Sequence, residues 1–176
     1  MAIEDGIEIR ALTEADAGAF REVRLRALRD HPEAFGSSFA EELAHPPGEA
    51  ARRFRAAWIA GGVMFGAFAD GRLVGVTGLA REPRTKRRHR AGIRSVYVEP
   101  EARRRGVATA LLAEVIRQAR AWGDVEVLEL SVTVDNDAAR RLYAGFGFRT
   151  YGIERWALKV GGRYVDEALM ALRLDR

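Results

Sequence analysis

The part of the chain that most restricts its fold lies between residues 92 and 134. An apolar, strand-like run from Gly92 to Glu99 is stopped by Pro100, and a second such run extends from Val125 to Val134. Between them, from Arg105 to Trp122, apolar residues recur with the spacing of an amphipathic helix: Ala108, Leu111, Leu112, Val115, Ile116 and Ala119. This order predicts a βαβ unit, whose two strands run parallel in one sheet.

The residues before this unit predict antiparallel strands and several helices. Two strand-like runs, Val63–Ala69 and Arg72–Ala80, flank Asp70-Gly71, which is a strong signal of a β-hairpin. Thr13 and Asp16 resemble a capping box at the start of a helix. The other elements predicted here are a strand at Ile7–Leu12, a helix reaching about Asp30, a short helix or irregular turn at Phe35–Leu43, and a helix from Pro46-Pro47 to about Trp58.

After the βαβ unit, the pattern predicts a short helix and two closing strands. Asp135 or Asn136 is expected to cap the helix, which extends to about Gly145. The two strands, on either side of Gly161-Gly162, are Phe148–Leu158 and Tyr164–Leu174. The complete order indicates an α/β or α+β fold with a mixed sheet. A length of 176 residues suits one domain, so we expect residues 1–176 to form a single domain.

The composition excludes several kinds of site. The chain contains no cysteine, so disulfides, thiolate zinc sites and a cysteine nucleophile are excluded. Its three histidines are scattered and no carboxylate cluster accompanies them, so no metal site is predicted. The first ten residues lack the apolar stretch of a signal peptide, and no apolar run is long enough to span a membrane. We therefore expect a cytoplasmic protein.

The start of the predicted helix after Pro100 has the features of an anion-binding site. Backbone N–H groups at a helix N-terminus are unpaired and attract negative charge. Gly106 and Ala108 leave room for a phosphate near the backbone, and the arginines at 103–105 add positive charge. Neither the P-loop pattern nor the GxGxxG dinucleotide pattern is present. These residues indicate either a pyrophosphate site or an ordinary basic helix start with solvated arginines.

Two segments resemble the motifs of a known family. VYVEPEARRRGVATALL, at residues 96–112, is similar to the acetyl-CoA-binding motif of the GNAT N-acetyltransferases, [R/Q]-x-x-G-x-[G/A], although many members have Gly in place of Arg104. NDAARRLYAGFGF, at residues 136–148, is similar to the family's N-x-x-A-x-x-L-Y-x-x-x-G-F. The matching residues are Arg103, Gly106 and Ala108 in the first segment, and Asn136, Ala139, Leu142, Tyr143, Gly147 and Phe148 in the second. The order of predicted elements also fits, so the resemblance covers nearly the whole chain.

The resemblance implies a GNAT fold, in which helices flank a mixed, mostly antiparallel sheet and a central parallel strand pair splays apart. Here that pair would be residues 92–99 and 125–134. The resemblance also implies an enzyme that transfers acetyl from acetyl-CoA directly to a primary amine in a ternary complex. The absence of cysteine agrees, because it excludes an acetyl-cysteine intermediate. The alternative is a catalytically weak CoA-binding sensor or interaction module of the same fold.

The same resemblance implies which residues hold the cofactor. Backbone groups of the first splayed strand would pair with the pantetheine arm as an added strand does, and the amides at the start of the helix would hold the pyrophosphate. Asn136 would hydrogen-bond the arm near the second strand. The cofactor-binding residues implied are Val96, Tyr97, Val98, Arg103, Arg104, Arg105, Gly106, Val107, Ala108, Thr109, Asn136 and Tyr143.

For catalysis, the resemblance implies that Tyr143 donates a proton to the departing thiolate; from the residue pattern alone it reads as a core aromatic. The general base is open. Glu82 follows the preceding strand and is our candidate, although a solvated loop carboxylate is the simpler interpretation of this residue. Glu99 is a second candidate for the base, but its position beside Pro100 suits an exposed carboxylate at least as well. Ser131 could instead position a water molecule.

A basic loop at residues 81–90, REPRTKRRHR, is the remaining feature of the sequence. Such a run is usually a solvated loop, but it could meet the CoA 3′-phosphate or an acidic substrate. The net charge of +4 also suits nucleic acid, although interleaved aromatic residues for base stacking are missing and nucleic acid is not expected. The acceptor amine, a small molecule or a peptide, is not readable; residues 22–58 are expected to shape its pocket. The fold is also compatible with a homodimer.

Overall fold

The computed structural model describes residues 6–46 and 48–174. The strands are β1 (Ile7–Ala11), β2 (Val63–Ala69), β3 (Arg72–Arg81), β4 (Arg90–Val98), β5 (Val127–Thr133), β6 (Arg149–Val160) and β7 (Arg163–Arg173). The helices are α1 (Ala17–Asp30), α2 (Phe39–Ala44), α3 (Glu49–Ile59), α4 (Val107–Ala121) and α5 (Asp137–Gly145). Every predicted element is present, and α3 begins two residues after Pro47, which lies outside the described residues.

The seven strands form one sheet in the order β1-β2-β3-β4-β5-β7-β6. Within the described residues, only β4 and β5 pair in parallel, and the other neighbours are antiparallel. The helix α4 makes the connection between the two parallel strands, as a βαβ unit requires. The predicted mixed, mostly antiparallel sheet with a central parallel pair is therefore confirmed.

Local signals in the sequence form as predicted. The Thr13 backbone N–H donates to the Asp16 carboxylate at 2.7 Å, which completes the capping box before α1. Asp70 and Gly71 both have positive φ, 50° and 76°, which is the conformation of a tight hairpin turn between β2 and β3. Asn136, the second of the two predicted caps, is the residue that precedes α5.

Two apolar layers enclose the sheet. On one side, α4 packs Leu111 and Val115 against the centre of the sheet, and this side is called the α4 face. On the other side, α1 and α3 pack Phe20 and Phe54 against β2 and β3, and this side is called the α1 face. Each strand presents alternate residues to the two faces, so the identity of a residue's face follows from its position along the strand.

An irregularity in β4 changes this alternation. Ser95 has a φ of 56°, and the register with β3 shifts between Gly78 and Val76. Before the shift, Ile93 belongs to the core of the α4 face; after it, Val98 does, while Tyr97 belongs to the core of the α1 face. One extra residue in β4, a β-bulge, accounts for the change. The bulge therefore decides which β4 side chains reach the α1 face.

Candidate active site

A gap opens between β4 and β5 because the two strands diverge. They pair over only three residues each, from Arg90 to Gly92 on β4 and from Val127 to Glu129 on β5. Beyond that point β4 continues to pair with β3, and β5 continues to pair with β7. The inner edges of both strands are thus without a strand neighbour towards their C-terminal ends. An extended ligand inserted here would find backbone donors and acceptors on its β4 side.

The direction of the backbone groups along β4 can be read from its ladder with β3. The Glu99 N–H donates to the Val74 carbonyl at 2.9 Å, so Glu99 and, two residues earlier, Tyr97 direct their backbone groups towards β3. Val96 and Val98 therefore direct theirs into the gap. This agrees with the backbone roles expected of Val96 and Val98. The backbone N–H and C=O groups of Tyr97 point towards β3 instead of the gap, and its side chain lies in the core of the α1 face.

The N-terminus of α4 lies just past the open end of the gap. Gly106 caps the helix with a φ of 81°, and the first helical hydrogen bond joins the Ala110 N–H to the Gly106 carbonyl at 2.9 Å. The amides of Val107, Ala108 and Thr109 precede that bond and point out of the helix end. Arg104 is also left-handed, with a φ of 62°. This turn has the backbone form of an anion site.

Of the three arginines beside this turn, Arg103 is placed by its side-chain contacts. The Arg103 guanidinium does not lie against the helix end: its Nε donates to the Val98 carbonyl at 3.0 Å, and its Nη2 is 2.9 Å from His31 Nε2. It therefore sits at the mouth of the gap and links β4 to the residues after α1. Arg104 is exposed, and Arg105 is half-buried.

Tyr143 lies in the core of the α4 face, on the helix that follows β5. Its side chain is 5% exposed, and its ring packs edge-on against Phe148 with centroids 6.0 Å apart. Burial raises the pKa of the Tyr143 phenol to about 12. Its hydroxyl has no hydrogen-bond partner among the described residues. The phenol is therefore a neutral donor over the whole physiological pH range.

Asn136 is at the junction of β5 and α5. Its side-chain oxygen accepts a hydrogen bond from the Ala139 N–H at 3.1 Å, so this oxygen caps the helix, as one of the two predicted caps. The cap uses only the oxygen of the Asn136 amide. The NH₂ group of the same amide can donate to a carbonyl of a ligand. One side chain can therefore fix the start of α5 and still offer a donor at the end of β5.

Glu82 lies at the closed end of the strand pair. Its backbone N–H donates to the Arg90 carbonyl at 3.1 Å, and its carboxylate accepts from Arg87 Nε at 3.2 Å. Arg90 is six residues from Val96, or about 20 Å along the strand. The structure thus does not bring Glu82 next to the gap-facing backbone of Val96 and Val98, and its role as a base stays a prediction.

The basic loop after β3 occupies the same closed end. It connects β3 to β4, and its His89 carbonyl accepts from the Val127 N–H at the start of β5. The turn at Gly106 is at the opposite end of α4, a helix of 15 residues that spans about 22 Å. This placement disfavours contact between the loop and a phosphate bound at the N-terminus of α4.

Glu99 is buried, not exposed, so the expectation of an exposed carboxylate beside Pro100 is wrong. It is 2% exposed because the bulge turns it towards α1, where Arg26 Nε donates to it at 2.7 Å. The Tyr97 hydroxyl also donates to it, at 3.4 Å. No sequence signal distinguishes this pair, because the contact depends on the phase change at Ser95.

Removing the partner of this buried carboxylate is expected to destabilise the protein. Arg26→Ala leaves Glu99 with one weak donor, and we expect the free energy of unfolding to fall by about 2–4 kcal/mol; Arg26 is 35% exposed, which lowers the value from that of a fully buried pair. Urea unfolding measures this loss. Arg26→Ala/Glu99→Gln should recover part of it. Arg29→Ala, which breaks an exposed pair with Asp30 on the same helix, should unfold as the wild type does.

An open cleft lies on the α1 face beside the gap. Its volume is about 610 Å³, and its walls come from the connection between α1 and α2 and from the β6–β7 hairpin. The turn that begins with His31 crosses the space between the two strands: His31 contacts Arg103, and the Glu33 carbonyl accepts from the Thr133 hydroxyl at 2.7 Å. Part of the expected 22–58 region therefore does line a cleft, together with the β6–β7 hairpin.

Residues 6–46 and 48–174 contain neither a candidate metal-binding cluster nor a helix that could span a membrane. Within these ranges, no group of three or more histidine, aspartate or glutamate residues is arranged to hold a metal ion. Within the same ranges, the helices are too short or too polar to cross a membrane.

Comparison with known proteins gives a consistent set of relatives. The family model described as "Acetyltransferase (GNAT) family" matches residues 25–148. The N-alpha-acetyltransferase RimI of Mycobacterium tuberculosis is 31% identical over 156 residues, which cover 89% of this chain and 87% of that protein. The L-amino acid N-acetyltransferase AaaT of Escherichia coli is 37% identical over 103 residues, which cover 58% of this chain and 62% of that protein.

Solved structures share the fold. The phosphinothricin acetyltransferase of Sinorhizobium meliloti, a GNAT superfamily member determined in complex with acetyl-CoA, superposes with a TM-score of 0.83 at 23% identity, over 96% of this chain and 89% of that one. The diverging strand pair, the family model over well over half of the chain and a relative that aligns along most of its length agree. The chain belongs to the acetyltransferase (GNAT) family.

Proposed function

We propose that this protein is an acetyl-CoA-dependent N-acetyltransferase that moves the acetyl group directly to a primary amine in a ternary complex. One observation carries the proposal: the free inner edge of β4 leads, within a few residues, to the outward-pointing amides of α4. A strand-like pantetheine arm followed by a pyrophosphate matches this sequence of donors and acceptors. The cofactor and the acceptor then enter from different sides of the sheet.

The cofactor roles follow from these positions. Val96 and Val98 pair with the arm, the amides between Arg104 and Thr109 hold the pyrophosphate, and the Asn136 NH₂ group donates to the arm. The Val98 carbonyl already accepts from Arg103. A carbonyl oxygen has two lone pairs, so the arm either shares this acceptor or displaces the guanidinium towards the phosphates.

The chemical step is attack of the amine nitrogen on the thioester carbonyl. A carbon–nitrogen bond forms, the carbon–sulfur bond breaks, and the thiolate leaves with the electron pair. The gap-facing N–H of Val96 is placed to polarise the carbonyl oxygen. The neutral Tyr143 phenol donates a hydrogen bond, and finally a proton, to the sulfur.

The amine must be neutral before it attacks. At pH 7 an amine with a pKa of about 10.4 is neutral only about once in 2,500 molecules, which corresponds to roughly 4.6 kcal/mol. Two carboxylates on the α1 face, Glu99 and Glu129, are both paired with arginine. We propose that the proton leaves to water in the open cleft, with Glu82 retained as a more distant acceptor.

The test measures the turnover of acetyl-CoA with each amine of a panel, through the release of free thiol. The panel contains amino acids, amino acid amides, short peptides with a free N-terminus and polyamines. We expect thiol release to require an amine and the product to carry an amide. If acetyl-CoA binds by calorimetry but no amine in the panel is acetylated, the protein is instead a CoA-binding module.

A further inference from the structure

Arg94 has an unusual position beside the reaction gap. It is the first β4 residue on the α1 face beyond Gly92, where the pairing with β5 ends. Arg94 pairs with Gly78 of β3, so both residues face the same side of the sheet. A Cβ built on Gly78 would lie 2.6 Å from the Met64 sulfur, and Met64 packs against the core of the α1 face. Arg94 therefore lies on the α1 face. If the β4–β5 pairing continued, Arg94 would stand opposite Ser131, which is exposed on β5.

The guanidinium of Arg94 forms neither an ion pair nor a hydrogen bond in the part of the chain that the structure describes. The neighbouring cations differ: Arg90 holds both oxygens of Glu129, and Arg87 pairs with Glu82 and also lies 3.6 Å from Glu129. The carboxylates Glu82 and Glu129 at this end of the gap are thus already paired with other arginines and are not available to Arg94.

The space around this guanidinium is open. It folds back over Gly92, and its Nε lies 3.5 Å from the position that a Cβ on that residue would occupy. Because Gly92 has no side chain, it does not cover the planar fork, and Arg94 is exposed. A guanidinium with a free fork binds a carboxylate through two parallel hydrogen bonds.

We propose that Arg94 binds a carboxylate of the acceptor, which makes the substrate a small primary amine with a carboxylate close to its nitrogen, such as an α-amino acid. This inference rests on the proposed function. The Arg94 Cα is two residues from Val96, or about 7 Å along the strand. The exposed side chain folds back over Gly92 in this structure, and it spans a similar length when it turns towards Val96. A carboxylate on the guanidinium therefore places a nearby amine at the gap. The N-terminus of a protein has a peptide group in place of this carboxylate and would lose the contact.

The experiment compares matched acceptors on the wild type and three variants. The kcat/KM of each α-amino acid is divided by that of its α-carboxamide, because the ratio between variants cancels the different basicity of the two amines. We expect Arg94→Gln to lower this ratio by about 10- to 100-fold, through kcat/KM of the acid alone, and Arg94→Lys to recover part of it. The control is Arg120→Gln, an exposed arginine near the C-terminal end of α4, which should leave the ratio unchanged.

A second readout does not depend on turnover. Calorimetry of an N-acetyl amino acid binding to the CoA-loaded protein should show weaker binding in Arg94→Gln by a similar factor, with CoA affinity unchanged. If amines are acetylated but the acid-to-amide ratio is the same in wild type and Arg94→Gln, the carboxylate site is refuted and the proposed function stands. If no amine is acetylated, the proposed function fails. Equal calorimetric affinities in that case would refute the carboxylate site as well.

Discussion

Replacing Tyr143 by phenylalanine is expected to lower kcat by about 100- to 1,000-fold when the chemical step limits turnover. The change removes only the hydroxyl, so the ring should keep its packing against Phe148 and the KM for acetyl-CoA should change little. The departing thiolate would lose its proton donor, and the barrier to carbon–sulfur cleavage would rise. Stopped-flow measurement of thiol release, with an acceptor identified in the amine panel, determines the loss.

The pH dependence gives an independent check on Tyr143. Burial raises the pKa of this phenol from 10 to about 12. Because the folded-state pKa is raised, the neutral phenol and its contribution to stability are retained up to about pH 10 and lost as the pH rises towards 12. The kcat of the wild type should therefore show no loss from tyrosine ionisation below about pH 10. Tyr164→Phe, at an exposed position, is the control, and an unchanged kcat in Tyr143→Phe would refute the acid role.

Replacing Gly106 by alanine is expected to weaken acetyl-CoA binding by about 10- to 100-fold. Gly106 holds a φ of 81°, a conformation that costs an L-residue about 1–2 kcal/mol, and relief of this strain would turn the amides of the α4 N-terminus away from a bound pyrophosphate. A Cβ on this residue would also stand where the phosphate approaches the backbone. Calorimetric titration with acetyl-CoA measures the loss.

The matched control for this variant is at the other end of the same helix. Gly123 has a φ of 74°, and a Cβ built on it would have no neighbour within 4 Å. Gly123→Ala should thus lose a similar free energy of unfolding, about 1–2 kcal/mol, while binding acetyl-CoA as the wild type does. Equal losses of affinity in the two variants would show that strain alone, and not phosphate binding, explains the result at Gly106.

Local patterns in the sequence predicted the secondary structure and the turn at the N-terminus of α4. The period of the apolar residues predicted α4, the Thr13–Asp16 pair predicted the start of α1, and Asp70-Gly71 predicted the β2–β3 turn. These features depend on residues within a few positions of one another. For the same reason the amino-acid sequence alone is enough to assign Gly106 and Asn136 to helix N-termini.

The sequence by itself thus determined the order of the elements, the turn that can hold a phosphate and the resemblance that led to Tyr143. Only the tertiary structure decided which charges are neutralised. The bulge at Ser95 turns Glu99 into the α1 face, where Arg26 meets it, and the short pairing of β4 with β5 leaves Arg94 without an acid among the described residues. Partners such as Arg26 and Glu99 are far apart in the chain. Contacts of this kind depend on strand register, and a shift of one residue moves a side chain to the opposite face.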